Sequence, residues 1–315
     1  MKVFVAGASG ALGAQLVPQL VARGHDVVGM TRTPAKRDLL RRMGAQPVVA
    51  DALDPDSVAR AVGEAEPEVI VHELTALSGT FDLRHIDRFF ATTNRLRTEG
   101  TDHLLAAGRA AGVQRFVAQS FGGWPFARVG GWVKTEEDPL DPNPGQSYRQ
   151  TAESMRYLEK AVTGIDWAVG IVLRYGGFYG PGTNLSAEPG SEMAEQVRKR
   201  RFPIVGGGAG VWSFVQIEDA ATATVAAIER GKAGIYHVVD DDPAPVREWL
   251  PGLAQALGAP PPRRVPRWLG RLLGGEAAVV MMTQARGASN SKARRELGWE
   301  PMYSSWRIGF AKGLG

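Results

Sequence analysis

"VFVAGASGALGAQLV", Val3 to Val17, is the stretch that decides the fold. Its opening residues are apolar and partly β-branched, as in a buried strand, and from Ala11 the apolar residues recur at helical spacing. Between the two stand Gly7, Gly10 and Gly13, a G-x-x-G-x-x-G spacing. Each glycine has a separate reason: the turn out of the strand needs unusual backbone angles, a phosphate needs close backbone approach, and the helix must pack tightly on the sheet. The amides around Ser9, Ala11 and Leu12 then face an anion at the helix start.

Outward from this turn the chain alternates. Lys2 to Ala6, Asp26 to Met30, Pro47 to Ala50, Glu68 to His72, Arg115 to Ala118 and Trp167 to Leu173 read as strands. Ala11 to Arg23, Ala35 to Met43, Asp56 to Val62 and Arg88 to Ala111 read as amphipathic helices, several followed by a capping glycine at Gly24, Gly44, Gly63 or Gly112. Strict alternation implies an α/β, Rossmann-like, doubly wound parallel sheet with helices on both faces. Residues 1–175 are expected to form the dinucleotide-binding domain. Beyond Gly176 glycine and proline become dense, and 176–315 reads mostly as a smaller α/β substrate lobe, with about 211–240 returning to the first domain.

Bulk composition narrows the class. The chain has 315 residues, 44% hydrophobic and 22% charged, with a net charge of +4, which fits an ordinary globular protein and not a nucleic-acid binder with one concentrated basic face. It has no cysteine, and its five histidines are dispersed, so no metal site is expected. No segment reads as membrane-spanning or as a leader, and a cytoplasmic location with no membrane partner is the expectation. The run "AAVVMMTQA", with Met281 and Met282, reads as core or subunit interface, which allows a homodimer.

The second strand runs into "MTRTPAK". A dinucleotide fold that prefers NAD usually carries an acidic residue there, to bind the ribose. Thr31, Arg32 and, one turn on, Lys36 occupy the region instead, and an arginine suits a 2′-phosphate. The expected cofactor is NADP(H). Asp51 and Ala52, after the third strand, fit an adenine-edge contact or a helix cap.

With these motifs in order, the chain resembles the extended short-chain dehydrogenase/reductase superfamily, of the epimerase/dehydratase-like kind. The resemblance rests on "AGASGALG", "VIVHELTAL" (Val69 to Leu77), "RTEGTDHLLAAGRAAGVQRFVAQS" ending at Ser120, "RYGGFYGPGT" (Arg174 to Thr183), "FVQIEDAATATVAAIE" (Phe214 to Glu229) and "LGWEPMYSSWRIGF". It implies that Leu74, Thr75 and Ala76 line the nicotinamide side, and that Tyr175, Gly177 and Phe178 lie beside the cofactor. It also implies a catalytic Ser/Thr, Tyr and Lys.

Tyr148, in "QSYRQTAESMRYLEK", matches the tyrosine, but Ala152 stands four residues on, where the lysine belongs. The hydroxyl position reads Ser120-Phe121, so Phe121 falls where the serine is expected and Ser120 serves only if the loop is shifted. A phenol without its cation still donates a proton, so reduction suffers less than oxidation. Aromatics after three strand ends, Trp124, Phe126, Trp132, Tyr179 and Trp212 together with Phe121, are expected to line a wide apolar substrate pocket. The leading expectation is an NADP(H)-dependent reductase acting on a carbonyl or conjugated double bond of a bulky apolar small molecule. Two rivals remain open: a non-redox isomerase, epimerase, dehydratase or cyclase, and a non-enzymatic NADP(H) sensor.

Overall fold

A computed structural model describes residues 1–77, 83–123 and 125–315. In chain order, the first half gives β1 (Lys2–Ala6), α1 (Ala11–Ala22), β2 (Asp26–Thr31), α2 (Arg37–Arg42), β3 (Gln46–Val49), α3 (Pro55–Ala65) and β4 (Val69–His72). There follow α4 (Ile86–Phe89), α5 (Ala91–Arg95), a π-helical turn (Leu96–Gly100), α6 (Thr101–Ala110), β5 (Arg115–Phe121), the short β6 (Val133–Lys134), α7 (Arg149–Thr163) and β7 (Val169–Tyr175). Where the sequence pattern reads as one helix from Arg88 to Ala111, the chain makes shorter pieces around that π turn, because Leu96, Arg97 and Gly100 are all buried there.

The second half supplies β8 (Gly177–Tyr179), α8 (Glu192–Arg198), β9 (Ile204–Val205), β10 (Val211–Trp212), β11 (Phe214–Gln216), α9 (Ile217–Arg230) and β12 (Gly234–Val238). Among later elements are β13 (Ala244–Pro245), α10 (Val246–Ala256), β14 (Arg264–Val265), α11 (Arg267–Thr283), β15 (Gly287–Ala288), α12 (Ser291–Leu297) and α13 (Trp306–Lys312).

Seven strands pair in the order β12-β7-β5-β4-β1-β2-β3, and every pairing is parallel. The alternation of β1 sets the layers. Val3 and Val5 enter one core with Leu12, Leu16 and Leu20 of α1 and the apolar face of α9; Phe4 and Ala6 enter the other, with Val58 and Val62 of α3, Leu104 of α6 and Leu158 of α7. The α12 residues Ala293 and Leu297 return to the first of these cores. A third core, with Tyr179, Phe214, Trp249, Leu250 and Phe310, builds the smaller lobe. The strand order reverses between β1 and β4, and at such a switch point an open parallel sheet leaves a crevice at its carboxyl edge.

Among the described residues no helix is long and apolar enough to cross a membrane.

Candidate active site

The switch-point crevice is floored by backbone. Gly7 leaves β1 with φ of 101°, and a Cβ there would stand 2.6 Å from the Glu73 carbonyl oxygen at the end of β4. A Cβ on Gly13 would meet the Ala8 carbonyl at 2.5 Å, so α1 lies tight on the loop before it. Gly10 caps α1 in extended conformation with no side-chain cap hydrogen bond among the described residues, and the first turn carries no acidic residue. The amides at that helix start remain for a phosphate, which is how a dinucleotide would be held. The residues present fit the group.

At the far end of the crevice Ser9 Oγ and Thr31 Oγ1 lie 3.2 Å apart, and Lys36 Nζ donates to the Ser9 carbonyl at 3.3 Å. Arg32 is exposed beside them. Asp51 Oδ1 accepts from Leu53 N at 3.0 Å and so shapes its own turn, while Asp54 caps α3. Ala52 is buried. Leu74 and Ala76 are half-buried and Thr75 is exposed on the segment after β4, which is tied down by Ala76 N donating to Thr93 Oγ1 at 3.0 Å.

Tyr148 is buried against Ile86 of α4 and Ala277 and Met281 of α11, with Leu83, Phe90 and Trp212 alongside. The helix it precedes has no side-chain cap of its own. Asp87 of α4 supplies one: its carboxylate accepts from Gln150 N at 3.0 Å and from Thr151 N at 2.8 Å. Ala152 is buried and brings no charge to this face.

Several expectations are corrected here. Ser120 is no spare hydroxyl: it donates to Glu159 Oε1 at 2.7 Å, and Glu159 forms a bidentate, buried ion pair with Arg174 at 2.8 and 2.7 Å. Phe121 is half-buried at the end of β5, opposite Tyr175. Tyr175 offers the cofactor no side chain, because its ring is buried and its hydroxyl lies 3.2 Å from Glu73 Oε1 and 2.7 Å from Thr224 Oγ1. Gly177 and Phe178 are half-buried, and the Phe178 ring lies 5.2 Å from that of Tyr175.

The expected aromatic pocket divides. Trp212 does join the Tyr148 cluster, with Nε1 donating to the Met281 carbonyl at 2.9 Å. Tyr179 is instead core of the small lobe, edge-on to Phe310, and Phe126 is buried against both the Arg174 guanidinium and His237. Trp132 lies on the surface with Arg286 stacked over its ring at 3.9 Å. Trp124 lies outside the described residues.

Two charged residues are given no role by the sequence reading. Glu73 is buried, its Oε2 has no hydrogen-bond partner among the described residues, and burial pushes its carboxyl up to about 8 despite the Tyr175 hydrogen bond. Arg97 is buried in the π turn. In the sequence Glu73 simply follows a strand, and Arg97 sits in a basic, polar run. A carboxylate directly after a buried parallel strand is the one signal that could have found the first of them.

A parallel sheet with a glycine-floored turn at its switch point and a separate core in its C-terminal region defines the class of α/β enzymes that use an NAD(P) dinucleotide. The model of the NAD dependent epimerase/dehydratase family matches residues 3–239, and the chain belongs to that family. It is 45% identical over 315 residues to a "3-diazoavenalumate denitrifying reductase" of a Streptomyces species, covering 99% of this chain and 100% of the relative. A "2-alkyl-3-oxoalkanoate reductase" of Stenotrophomonas maltophilia is 28% identical over 82% of this chain and 77% of its own. Among solved structures, UDP-glucose 4-epimerase of Thermotoga maritima superposes with a TM-score of 0.73 at 22% identity, over 100% of this chain and 97% of the epimerase. A dTDP-glucose 4,6-dehydratase of Streptomyces venezuelae gives 0.75 at 23%, over 100% and 96%. At such identities the structures speak for the fold alone.

Proposed function

We propose that the protein is an NADPH-dependent reductase whose hydride acceptor expels its own leaving group, an aryl diazonium compound that loses dinitrogen. The observation that carries this reading is the pairing of an intact cradle with a site that lacks both the lysine, at Ala152, and the free hydroxyl, at Ser120-Phe121. Carbonyl reduction needs a proton delivered to oxygen, and a tuned acid contributes roughly 10²- to 10⁴-fold. When bound, the reduced nicotinamide supplies a hydride; at a diazonium carbon a C–H bond forms as the C–N bond breaks, and dinitrogen leaves with the bonding pair, so charge balances with no proton moved. The Streptomyces relative, alike over the whole chain, is named for a reaction of this kind.

This chain's own residues then have modest tasks. Gly7, Ser9, Gly10, Ala11, Leu12 and Gly13 hold the pyrophosphate by backbone amides. Thr31, Arg32 and Lys36 surround a 2′-phosphate, which favours NADP(H) over NAD. Leu74, Thr75, Ala76, Gly177 and Phe178 border the nicotinamide. Tyr148, Phe121 and Trp212 give the acceptor an apolar wall and exclude water. Carbonyl reduction is the second reading, favoured by the retained phenol of Tyr148.

The test uses NADPH carrying deuterium at the transferred position, an aryl diazonium salt and, separately, an aryl ketone. Enzyme-dependent release of dinitrogen with deuterium on the carbon that bore nitrogen is the expected result. Turnover of the ketone alone would replace this reading with the second one.

A further inference from the structure

The segment "TTNRLRTEGT" packs four polar side chains, Thr93, Asn94, Arg97 and Thr101, into the interior. It does so by widening into the π turn at Leu96–Gly100, a distortion that often marks functional sites. His72 fixes the turn. Its Nδ1 accepts from Leu74 N at 3.3 Å, so Nε2 carries the proton and donates to the Leu96 carbonyl at 3.2 Å. The turn is thus held against the carboxyl end of β4, beside the segment Leu74 to Ala76.

Arg97 is 7% exposed, and its guanidinium is poorly answered. Its hydrogen bond goes to Asn94 Oδ1 at 3.5 Å, an oxygen that already accepts from Ser154 Oγ at 3.0 Å. No carboxylate among the described residues pairs with it. Glu159 is the carboxylate whose field reaches it, but both Glu159 oxygens are taken, by Arg174 and Ser120. Burial lowers the guanidinium to about 10, which leaves it charged at neutral pH. A buried cation in this condition costs several kcal/mol unless an anion joins it.

The surroundings say which side the anion comes from. The Arg97 guanidinium carbon lies 5.7 Å from the centroid of the Phe90 ring, and Phe90 packs against the Tyr148 cluster. Asn94 Nδ2 donates to Thr151 Oγ1 at 3.1 Å, next to Ala152. We propose that Arg97 is an anion site of the candidate active site, which takes the carboxylate of an aromatic acid whose ring lies against Phe90 and the Tyr148 cluster. A ribose hydroxyl would not neutralise a buried guanidinium; a carboxylate does, by charge-assisted, bidentate bonds. The proposal rests on the reductase reading only in treating that acid as the substrate.

The test is calorimetric titration of the full chain with cinnamate and with methyl cinnamate, each with and without saturating NADPH. The acid is expected to bind at least tenfold more tightly than the ester, since a charged hydrogen bond contributes roughly 1.5–3 kcal/mol. Arg97→Met should abolish that preference and Arg97→Lys should keep part of it. Equal binding of acid and ester by the wild type overturns the proposal, as does an unchanged preference in Arg97→Met. So does a variant that weakens NADPH alone, because Arg97 would then serve the cofactor. If Arg97→Met does not fold, the wild-type comparison and Arg97→Lys decide. An acid preference lost in Arg97→Met, in a protein that reduces neither diazonium nor ketone, would uphold the anion site and sink the reductase reading separately.

Discussion

Ser120 Oγ donates to Glu159 Oε1 at 2.7 Å, and both residues are buried. The Ser120 hydroxyl is therefore spent on an ion pair, Glu159–Arg174, that pins α7 to β7. His237 lies against the same pair, 3.4 Å from Arg174, and burial followed by the arginine's charge pushes it down to about 3, so it stays neutral.

Ser120→Ala should consequently cost stability and leave chemistry alone. Removing a hydrogen bond to a buried charge costs about 1.5–3 kcal/mol. Denaturant unfolding is expected to show that loss, with turnover of the folded variant within about threefold of wild type. A drop on the order of 10²-fold or more in turnover at unchanged stability would return Ser120 to the catalytic set.

Tyr148 separates the two readings of the reaction. Its ring walls the apolar cluster with Ile86, Ala277 and Met281. Tyr148→Phe keeps that wall and removes the proton donor. Reduction of a diazonium acceptor is expected to change less than about fivefold, whereas reduction of a ketone would fall by roughly 10²-fold or more. Steady-state rates on both acceptors decide it, and a large loss on the diazonium would show that the phenol takes part after all.

The alternation of short apolar runs with amphipathic helices makes the sheet readable from residue pattern alone, since parallel strands buried on both faces leave a strong local signal. The glycine cradle is equally legible because Gly7 and Gly13 answer to steric demands of the adjoining backbone. The pocket is not. Tyr179, Phe126 and Trp132 follow strand ends just as lining residues do, and only tertiary packing against Phe310, His237 and Arg286 assigns them elsewhere. Glu73 and Arg97 are hidden for a similar reason: what sets each apart is burial without a full complement of partners, which no spacing encodes.

Arg32 is exposed at the end of β2, next to the Ser9–Thr31–Lys36 contacts. If it meets a 2′-phosphate, Arg32→Ala removes a charge-assisted bond and touches nothing in the folded protein's core. Affinity for NADPH should fall roughly 10- to 100-fold while affinity for NADH barely moves. Fluorescence titration of both cofactors checks this, and parallel losses for NADPH and NADH would refute a role in choosing between them.

Glu73 sets a pH dependence of stability whose sign can be worked out. The unfolded chain releases this proton near 4.5, but burial holds it in the folded chain up to about 8. Between those values the folded state binds more protons, so stability falls as pH rises, and above about 8 the full cost of a buried carboxylate is present. Asp240, Asp219 and Glu136 are also raised by burial, so the difference between wild type and Glu73→Gln is the quantity to read. The glutamine keeps an oxygen to accept from Tyr175 and carries no charge at any pH. The two proteins should have similar melting temperatures near pH 4.5, and the variant should gain on the wild type toward pH 8, by an amount on the order of 4–5 kcal/mol. Thermal unfolding across that range measures the gap directly. Parallel profiles would mean that Glu73 titrates near its ordinary value and that water reaches it beneath the Gly7 turn.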